Sequence, residues 1–426
     1  MIKMNLYPHQ VKALNETEGK NRVAYYHDMG LGKTFTGAEK MVRFGAKVNL
    51  VICQKSKIPD WIEHFKRYYS EIAIVDLTVK GAVSTLVEWN SEMRVVGIIN
   101  YELAWRRKDL LRLRDFTLML DESSLIQNRT AKQTKFILKL QPSNVILLSG
   151  TPTAGKYENL WTQAHLLGWE ISNPLYQHQY VNWTTLRLAG GQCINVVDKK
   201  NPYKNVERLK EKLREHGAVF LKTEEVMDLP EQTFVEIRVS SSKEYRTFMK
   251  DSIVTFGNME LVGDTSLTKR LYARQLCGIY SDEKFQAFRD LVQSTNDRLI
   301  VFYNFTAECE KLVEIVKDFD RPFSSVNGAG QHLGSYKNFE DSITFVQYQA
   351  GSMGLNLQKA NKIVYFSPPE RCELWMQSQK RIHRIGQERP CFYYKLICRG
   401  SVEEKIYSAL DRGEDFTDEL FRKEFR

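Results

Sequence analysis

The sequence predicts an α/β fold built from two lobes, each a parallel sheet flanked by helices, with small helical insertions between the lobes. Short apolar runs of strand length alternate with amphipathic helical patterns in both parts of the chain, which is typical of parallel sheets. The alternation breaks at residues 156–227. The length of 426 residues fits two or three domains.

Six apolar runs predict the strands of the first lobe: 22–26, 48–53, 72–77, 95–99, 116–120 and 145–148. Because the runs are apolar rather than alternating, the strands should be covered on both faces. Helical patterns separate them at 34–44, 59–69 and 130–140. Functional loops are expected at the carboxyl ends of such strands.

Four further runs predict strands of the second lobe at 299–303, 343–348, 363–366 and 392–397, with helices at 308–319 and 370–381. Between the lobes, helical patterns cover 158–169, 206–216, 240–256 and 266–277, and 189–191 reads as a turn. The predicted boundaries are therefore a first lobe at 1–155, insertions and crossover at 156–281, a second lobe at 282–410 and a terminal helix or tail at 411–426.

The composition is that of a soluble globular protein, with 42% hydrophobic and 27% charged residues. No apolar run approaches the ~18 residues of a membrane helix, and the first ten residues do not form a signal peptide. The seven cysteines include no C-x-x-C pair, which indicates reduced thiols, with Cys53 and Cys277 as small core residues. We expect a cytoplasmic protein with no membrane partner.

The net charge of +9 is unevenly distributed along the chain: residues 1–227 carry +10 and residues 228–426 carry −1. A basic first half suits a polyanionic partner, although charge alone is equally compatible with a solvated basic surface. Lys55 and Lys57 directly follow a predicted strand and are the better candidates for backbone phosphate contacts. Other basic clusters lie at 106–114 and 199–204.

A glycine-rich loop, DMGLGKT at residues 28–34, follows the first predicted strand and precedes a predicted helix. Gly30 and Gly32 would let backbone N–H groups approach a phosphate, Lys33 would reach the β- and γ-phosphates, and the Thr34 hydroxyl would ligate Mg²⁺. His27 stands where the longer form of this motif has its first glycine. The alternative is an ordinary strand–turn–helix with a lysine at the helix start.

An acidic pair, Asp121-Glu122, ends the buried strand at 116–120. Asp121 would hold Mg²⁺ directly or through water, and Glu122 would orient and deprotonate an attacking water, as nucleoside triphosphate hydrolysis requires. Two capping acids before a helix would give the same pattern. The upstream Lys33 favours the catalytic interpretation.

Two arginines three residues apart, Arg381 and Arg384, lie in the segment QSQKRIHRIGQ at 377–387, on one face if the segment is helical. A guanidinium neutralises charge on transferring phosphoryl oxygens, often bidentately. A solvated basic face is the alternative interpretation.

These segments together resemble the SWI/SNF-type ATPases (the Snf-two family), a branch of the superfamily-two helicases and translocases. The matching segments are LYPHQ at 6–10 with Gln10 (adenine-reading motif), 28–34 (motif I), Asp121-Glu122 (motif II), LSGTP at 148–152 (motif III), QAGSMGLNL at 349–357 (motif V) and 377–387 (motif VI). The string HRIGQ at 383–387 is especially diagnostic of this family. The resemblance spans nearly the whole chain.

The resemblance implies two RecA-like lobes that use ATP and Mg²⁺. It makes Gln10 the adenine contact, Gly354 a further nucleotide contact, and Arg381 and Arg384 arginine fingers that make hydrolysis depend on lobe closure. It places DNA contacts at Lys55, Lys57, Tyr101 and Thr151. The implied function is a DNA-dependent ATPase that moves along double-stranded DNA, contacting mainly the phosphate backbone.

The sequence departs from the family pattern after motif II, where Ser123-Ser124 replaces the usual Ala-His or Gly-His. The histidine that links motif II to motif III is therefore missing, and Ser149 or Ser124 is the candidate substitute. Without room for targeting modules, the chain looks like a minimal bacterial or phage-like motor core, and we expect a monomer.

Three alternative functions remain open at this stage. The first is a true helicase or annealing motor acting on forked or single-stranded nucleic acid. The second is an ATPase that acts on protein partners and is not stimulated by DNA. The third is a binding scaffold with an inactive ATP site, which the complete set of motif residues disfavours.

Overall fold

The computed structural model describes residues 5–153, 156–187, 191, 193–198, 200–226, 228–256, 259–351 and 355–425. The chain divides into two compact units, 1–227 and 228–426.

The first unit contains a parallel sheet of seven strands in the order β3-β4-β2-β5-β6-β1-β9. A separate antiparallel hairpin is formed by β7 and β8. The strands are β1 (Arg22–His27), β2 (Val48–Cys53), β3 (Ile72–Asp76), β4 (Arg94–Asn100), β5 (Phe116–Asp121), β6 (Asn144–Leu148), β7 (Trp183–Arg187), β8 (Cys193–Val197) and β9 (Ala218–Leu221).

Helices cover both faces of this sheet. They are α1 (Pro8–Glu16), α2 (Lys33–Phe44), α3 (Ile58–Tyr68), α4 (Ala82–Val87), α5 (Tyr101–Ala104), α6 (Lys132–Ile137), α7 (Trp161–Leu166), α8 (Asn173–Tyr180) and α9 (Val206–Glu215). Because successive side chains of a strand point to opposite faces, β5 contributes Leu118 and Leu120 to one core and Met119 to the other. Burial on both faces explains why the strands are apolar throughout.

The second unit contains a seven-stranded sheet in the order β10-β18-β17-β13-β16-β14-β15, parallel except for the β14–β15 pair. An antiparallel hairpin, β11–β12, lies outside it. The strands are β10 (Gln232–Val239), β11 (Ile253–Phe256), β12 (Met259–Val262), β13 (Leu299–Tyr303), β14 (Phe323–Asn327), β15 (Gly330–His332), β16 (Ile343–Gln347), β17 (Lys362–Tyr365) and β18 (Cys391–Cys398).

Nine helices accompany the described part of this second sheet. They are α10 (Lys243–Asp251), α11 (Ser266–Gly278), α12 (Asp282–Gln293), α13 (Thr306–Lys317), α14 (Gly334–Asn338), α15 (Tyr348–Gly351), α16 (Cys372–Gln379), α17 (Val402–Asp411) and α18 (Asp418–Glu424). Side chains of β13 alternate between two cores, with Ile300 and Phe302 in one and Leu299 and Val301 in the other.

The structure confirms the predicted fold class of two α/β units, each built on a mostly parallel sheet flanked by helices. The segment predicted as helical insertions is organised differently from the prediction, because it also supplies sheet strands. β9 pairs with β1 in the first sheet, and β10 pairs with β18 in the second. β9 therefore belongs to the unit 1–227 and β10 to the unit 228–426, while the predicted boundaries at 155/156, 281/282 and 410/411 stay a prediction.

The predicted helix at 240–256 is correct only in its first part. α10 ends at Asp251, and Ser252 adopts a left-handed conformation with φ of 59°. The next four residues include the β-branched Ile253, Val254 and Thr255, which favour the extended hairpin that they form with β12. The predicted turn at 189–191 lies largely outside the described residues.

In the described ranges, no helix combines the length and apolar character needed to cross a membrane. Cys53 and Cys277 are both buried, as predicted.

Candidate active site

The glycine-rich loop connects β1 to α2 through two left-handed glycines. Gly30 has a φ of 92° and Gly32 a φ of 72°, which L-residues with side chains rarely adopt. A Cβ atom at Gly32 would also collide with the Gln10 amide. α2 begins directly after this loop at Lys33, so the N–H groups of its first turn have no intrahelical acceptors and are suited to phosphate.

Gln10 holds this loop from the side of α1. Its Nε2 donates to the carbonyls of Leu31 and Gly32, both at 3.2 Å, and its Oε1 accepts from Tyr7 N at 2.9 Å. The side chain is 1% exposed. In this structure Gln10 therefore positions the phosphate loop, while its predicted contact with adenine stays a prediction.

Lys33 lies along the inner side of the loop. Its Nζ donates to the carbonyl of His27 at 2.8 Å and to that of Asp28 at 3.3 Å. The Asp28 carboxylate in turn accepts from N and Oγ1 of Thr223, at 3.1 and 3.2 Å, which ties the loop to the segment after β9. A Cβ atom at Gly150 would lie 3.2 Å from Lys33 Nζ, so the loop after β6 reaches the same lysine.

His27, at the position of the missing glycine, is fully buried. Burial, with smaller contributions from Lys33 and His9, lowers its pKa to about 3, so the imidazole is neutral at physiological pH. Its ring packs edge-on against Tyr25, with the ring centroids 5.4 Å apart. His27 is thus an uncharged part of the core beneath the phosphate loop.

Asp121 ends β5 at the same edge of the sheet. Its Oδ2 accepts a hydrogen bond of 2.8 Å from Trp61 Nε1 on α3. Burial raises the pKa of Asp121, and the Trp61 hydrogen bond opposes this shift. Trp61 was not predicted as a site residue, because nothing in the sequence pattern of α3 indicates which acid its indole reaches.

Glu122 is held in a left-handed conformation, with φ of 59°, and its carboxylate is anchored by two serines. Its Oε1 accepts from Ser149 Oγ at 2.8 Å and from Ser124 Oγ at 3.0 Å. Ser149 Oγ also accepts from Thr151 N at 3.2 Å. The two serines that the sequence offered in place of the missing histidine therefore both contact Glu122, and Ser149 joins the loops after β5 and β6.

The residues at this edge fit Mg²⁺ and a nucleoside triphosphate. A carboxylate and a hydroxyl, from Asp121 and Thr34, are the oxygen donors that Mg²⁺ prefers alongside phosphate oxygens and water. The left-handed glycines and the N-terminus of α2 supply the phosphate cradle, and Lys33 already lies within it.

In the second unit, Arg381 and Arg384 follow α16 in a turn rather than on a helix. Both Nη1 atoms reach the carbonyl of Leu355, at 3.5 and 3.4 Å. Burial lowers the pKa of Arg384, and its Nε is buried without a hydrogen-bond partner among the described residues. The predicted helical face is thus absent, but the turn still brings the two guanidinium groups to one carbonyl.

Comparison with protein families matches residues 16–286 to the SNF2-related domain and residues 283–386 to the helicase conserved C-terminal domain. The first match alone covers more than half of the chain. The chain belongs to the SNF2-related family. The helicase C-terminal match includes Arg381 and Arg384, so the turn described above lies within a recognised helicase domain.

Curated relatives of this SNF2-related chain include larger proteins. One is the SWI/SNF-related matrix-associated actin-dependent regulator of chromatin subfamily A member 1 of Mus musculus, 23% identical over 89% of this chain and 39% of that protein. Another is the chromodomain-helicase-DNA-binding protein 1-like of Mus musculus, 23% identical over 89% of this chain and 45% of that protein. The chain thus spans less than half the length of these relatives.

Among solved structures, the chain is similar to the Sulfolobus solfataricus SWI2/SNF2 ATPase core in complex with dsDNA. The identity is 20%, the TM-score is 0.47, and the match covers 99% of this chain and 93% of that one.

The four residues predicted to contact DNA in this SNF2-related chain differ in exposure. Lys55 is exposed, Lys57 is partly exposed and pairs with Asp60 at 2.6 Å, and Thr151 is partly buried. Tyr101 is 1% exposed, and its hydroxyl donates to the Asp121 carbonyl at 3.0 Å. The prediction for Tyr101 is therefore corrected: its ring is packed in the core and supports the end of β5. The predicted nucleotide contact Gly354 lies outside the described residues.

Proposed function

We propose that this chain is an ATP-driven motor that hydrolyses ATP to ADP and phosphate and moves along double-stranded DNA. The observation that carries the proposal is the contact between Glu122 and Ser149, 2.8 Å long, which joins the acidic strand end to the loop bearing Thr151. A carboxylate placed to orient water is thereby bonded to the segment expected to contact DNA. That arrangement provides a physical route for coupling hydrolysis to movement.

Within the nucleotide site, each side chain has a separate task. Lys33 would exchange its contacts with the carbonyls of His27 and Asp28 for phosphate oxygens, and Thr34 and Asp121 would hold Mg²⁺. The metal, when bound, neutralises charge on the β- and γ-phosphates. Trp61 fixes the Asp121 carboxylate, so that this ligand is oriented before the metal arrives.

Glu122 orients the attacking water and accepts its proton. Its two serine hydroxyls donate to Oε1, which leaves Oε2 as the oxygen that faces water in this proposal. Arg381 and Arg384 are proposed to neutralise the charge that develops on the transferred phosphoryl group. Within the described residues the Nε of Arg384 has no hydrogen-bond partner, which is consistent with a guanidinium that binds an anion.

DNA is proposed to contact Lys55, Lys57 and Thr151, which follow β2 and β6 at the carboxyl edge of the first sheet. The net charge of +10 on residues 1–227 favours a polyanion. The name of the chromodomain-helicase-DNA-binding relative supports the same partner. Since these are backbone contacts, binding should be largely independent of sequence and sensitive to salt.

A second candidate function is a helicase that separates strands of forked or single-stranded nucleic acid. The β7–β8 hairpin favours it, because every residue of β7 is exposed. Trp183 and Leu186 are 46% and 44% exposed, and such side chains can insert between bases. A strand-displacement assay on forked DNA, with Trp183→Ala as the variant, separates the two functions. Displacement that depends on Trp183 would favour the helicase.

The main test measures ATP hydrolysis without nucleic acid, with duplex DNA, with single-stranded DNA and with RNA. Lys33→Ala is the inactive reference, and Lys12→Ala, an exposed lysine of α1, is the matched control that should behave as wild type. Strong stimulation by duplex supports the translocase, and stimulation by single strands or RNA alone favours the helicase. Turnover that is indifferent to all three would overturn the nucleic-acid motor and leave an ATPase directed at proteins.

The individual residue roles are tested by Glu122→Gln, Arg381→Ala and Arg384→Ala. Each should abolish turnover, since each removes a group that acts on the reacting water or phosphoryl group. Nucleotide binding by Glu122→Gln, measured by fluorescence of an ATP analogue, should be retained. Near-wild-type hydrolysis in any one variant would refute the role of that residue.

A further inference from the structure

A buried amide lies between the two loops that the proposed mechanism joins. Gln163, on α7, is 0% exposed, and each end of its amide has protein partners. Its Oε1 accepts from Ser123 Oγ at 2.8 Å and from the Tyr26 hydroxyl at 3.0 Å, and its Nε2 donates to the Pro152 carbonyl at 2.9 Å. One side chain thus contacts β1, the residue after Glu122, and the loop after β6.

The orientation of this amide is fixed by its partners. The carbonyl of Pro152 can only accept, so it must face the Nε2 donor. The hydroxyls of Ser123 and Tyr26 then donate to Oε1, which has two lone pairs. A leucine or methionine of similar volume would remove the acceptor of the Ser123 and Tyr26 hydroxyls and one of the two amide donors to the Pro152 carbonyl.

A second amide side chain, that of Gln127, also contacts the Pro152 carbonyl. Gln127, which follows the short helical turn Ser123–Ile126, donates from Nε2 to the Pro152 carbonyl at 3.0 Å. Thr162, the neighbour of Gln163, donates to the Ile126 carbonyl at 2.8 Å. The start of α7 and the segment after Glu122 are therefore bonded to each other and to Pro152.

The loop after β6 is consequently held at two places. Ser149 is bonded to Glu122, and Pro152 is bonded to Gln163 and Gln127. Thr151 lies between these two anchors, and its N–H is bonded to Ser149. If a bound DNA phosphate displaced Thr151, the contacts of both Ser149 and Pro152 would shift. Ser149 is bonded directly to Glu122, and Pro152 is connected through Gln163 to Ser123, the residue after Glu122.

We propose that Gln163 is a positioning residue that couples occupation of the DNA surface at Thr151 to the orientation of Glu122. It acts through Pro152 on one side and Ser123 on the other, without touching nucleotide or DNA. This inference rests on the proposed function. In this proposal α7, which lies outside the family motifs, helps to link motif II to motif III. That link is the role of the histidine that is missing after motif II.

The test compares Gln163→Leu with wild type, using the ratio of turnover at saturating duplex DNA to turnover without DNA. The ratio should fall about tenfold, since a lost buried hydrogen-bond network is worth about 1–3 kcal/mol. The KM for ATP should stay within about threefold, because Gln163 does not reach the nucleotide. A purely structural role would instead lower the melting temperature and both turnover rates together.

Two further variants keep the inference testable if Gln163→Leu folds poorly. Ser123→Ala removes the hydrogen bond from Ser123 to Gln163 and should lower the ratio of turnover with and without DNA about threefold to tenfold. The double variant Ser123→Ala with Gln163→Leu should lose no more than Gln163→Leu alone. Tyr26→Phe is the matched control, since it removes one donor to Oε1 but leaves the Ser123 and Pro152 contacts, and its ratio should stay within twofold of wild type.

The outcomes separate this inference from the function on which it rests. A wild-type chain that duplex DNA does not stimulate would overturn both. A stimulated wild type whose Gln163→Leu and Ser123→Ala variants keep the full ratio would overturn the role of Gln163 alone. A Tyr26→Phe variant that loses as much as Gln163→Leu would also overturn it, because the effect would then be general to the buried network.

Discussion

The two units use the same edge of similar sheets in different ways. In the first unit, the carboxyl ends of β1, β5 and β6 lead to Lys33, to Asp121 with Glu122, and to Ser149; Lys33, Asp121 and Glu122 are partly exposed, while Ser149 is buried. In the second unit, the ends of β13, β17 and β18 lead to polar side chains that are closed off from solvent. In both units the fold places polar side chains at the carboxyl ends of the strands. Whether these side chains form an exposed site depends on the groups with which they pair.

The closed edge of the second unit is organised around two buried carboxylates. Glu308 accepts from the N–H groups of Asn304 and Phe305 and from Ser367 Oγ, and burial raises its pKa. Glu403 accepts from Lys284 Nζ at 2.5 Å, in an ion pair whose side chains are 0% and 1% exposed.

Two thiols lie beside this ion pair. Ligand atoms of Cys277, Cys398 and Glu403 lie within 4.8 Å of one another, which is a spacing compatible with a metal ion. The ammonium of Lys284 already neutralises Glu403, so the cluster is charge-balanced without a cation. The carboxylates of Asp121 and Glu122 in the first unit are partly exposed, whereas Glu308 and Glu403 in the second unit are buried and bonded to groups of the protein.

The largest expected effect comes from breaking this internal pairing. Lys284→Met leaves the Glu403 carboxylate buried without its cation, and should lower the free energy of unfolding by about 3–5 kcal/mol. Urea denaturation followed by circular dichroism measures the loss. Adding Glu403→Gln should restore part of it, while Lys405→Met, which breaks an exposed pair, should change stability by less than about 1 kcal/mol. An unchanged midpoint in Lys284→Met would contradict the proposed difference between the two edges.

Removing a serine from the open edge should affect catalysis rather than folding. Ser149→Ala deletes a hydrogen bond to the Glu122 carboxylate, worth about 1.5–3 kcal/mol, and should lower kcat about tenfold to a hundredfold. Steady-state ATP hydrolysis and a melting curve check this together. Ser124→Ala, which removes the longer bond of 3.0 Å, should cost less than Ser149→Ala. The reverse order would mean that Ser124 is the main anchor of Glu122.

Acid should destabilise the first unit through its buried histidines. Burial, with smaller contributions from Lys33 and His9, lowers the pKa of His27 to about 3, and burial lowers that of His64 to about 4, below the ordinary value of 6.5. Below pH 6.5 the unfolded chain therefore binds protons that the folded chain does not, so stability falls as pH falls towards these values. Each histidine should contribute a loss of about 2 kcal/mol by pH 5.

The variant His64→Phe isolates this effect, because His64 already lies among the aromatic rings of Phe35, Trp61, Phe65, Tyr68 and Tyr69. In wild type the free energy of unfolding should fall between pH 7.5 and pH 5. In His64→Phe this fall should be smaller by about 2 kcal/mol. If the pH dependence were the same in both, His64 would have to be protonated in the folded protein.

The smallest expected change in stability is at the proposed DNA surface. Lys57→Met removes only a surface pair with Asp60 and should alter the free energy of unfolding by less than about 1 kcal/mol. If Lys57 contacts a phosphate, the slope of log affinity against log salt should become smaller by about 0.9. Filter binding of duplex DNA over a range of salt concentrations measures this slope, and an unchanged slope would remove Lys57 from the DNA surface.

The sequence predicted the core strands of both sheets well, because each is a short apolar run bounded by polar residues. It was less successful where pairing is distant or local preferences compete. β9 and β10 join sheets whose neighbouring strands, β1 and β18, are far away in sequence. The hairpins β7–β8 and β11–β12 were not predicted, and one of them replaced the end of an expected helix.

For the candidate site, the sequence named the motif residues but not all of their partners. Tyr101 was expected at the DNA surface, but its ring is buried and its hydroxyl binds the end of β5. Trp61 and Gln163 were not expected at all. Each contacts a motif residue through a hydrogen bond between distant segments, and no periodicity in α3 or α7 encodes such a partner.

The sequence by itself determined the fold class, the family and the strand-end positions of Lys33, Asp121 and Glu122, because these follow from local order along the chain. Only the tertiary structure decided that Ser149 anchors Glu122, that Trp61 fixes Asp121 and that Gln163 joins three strand ends. The physical reason is that a buried donor or acceptor must find a partner wherever packing places one. That choice depends on how separate segments meet, and a linear sequence does not display it.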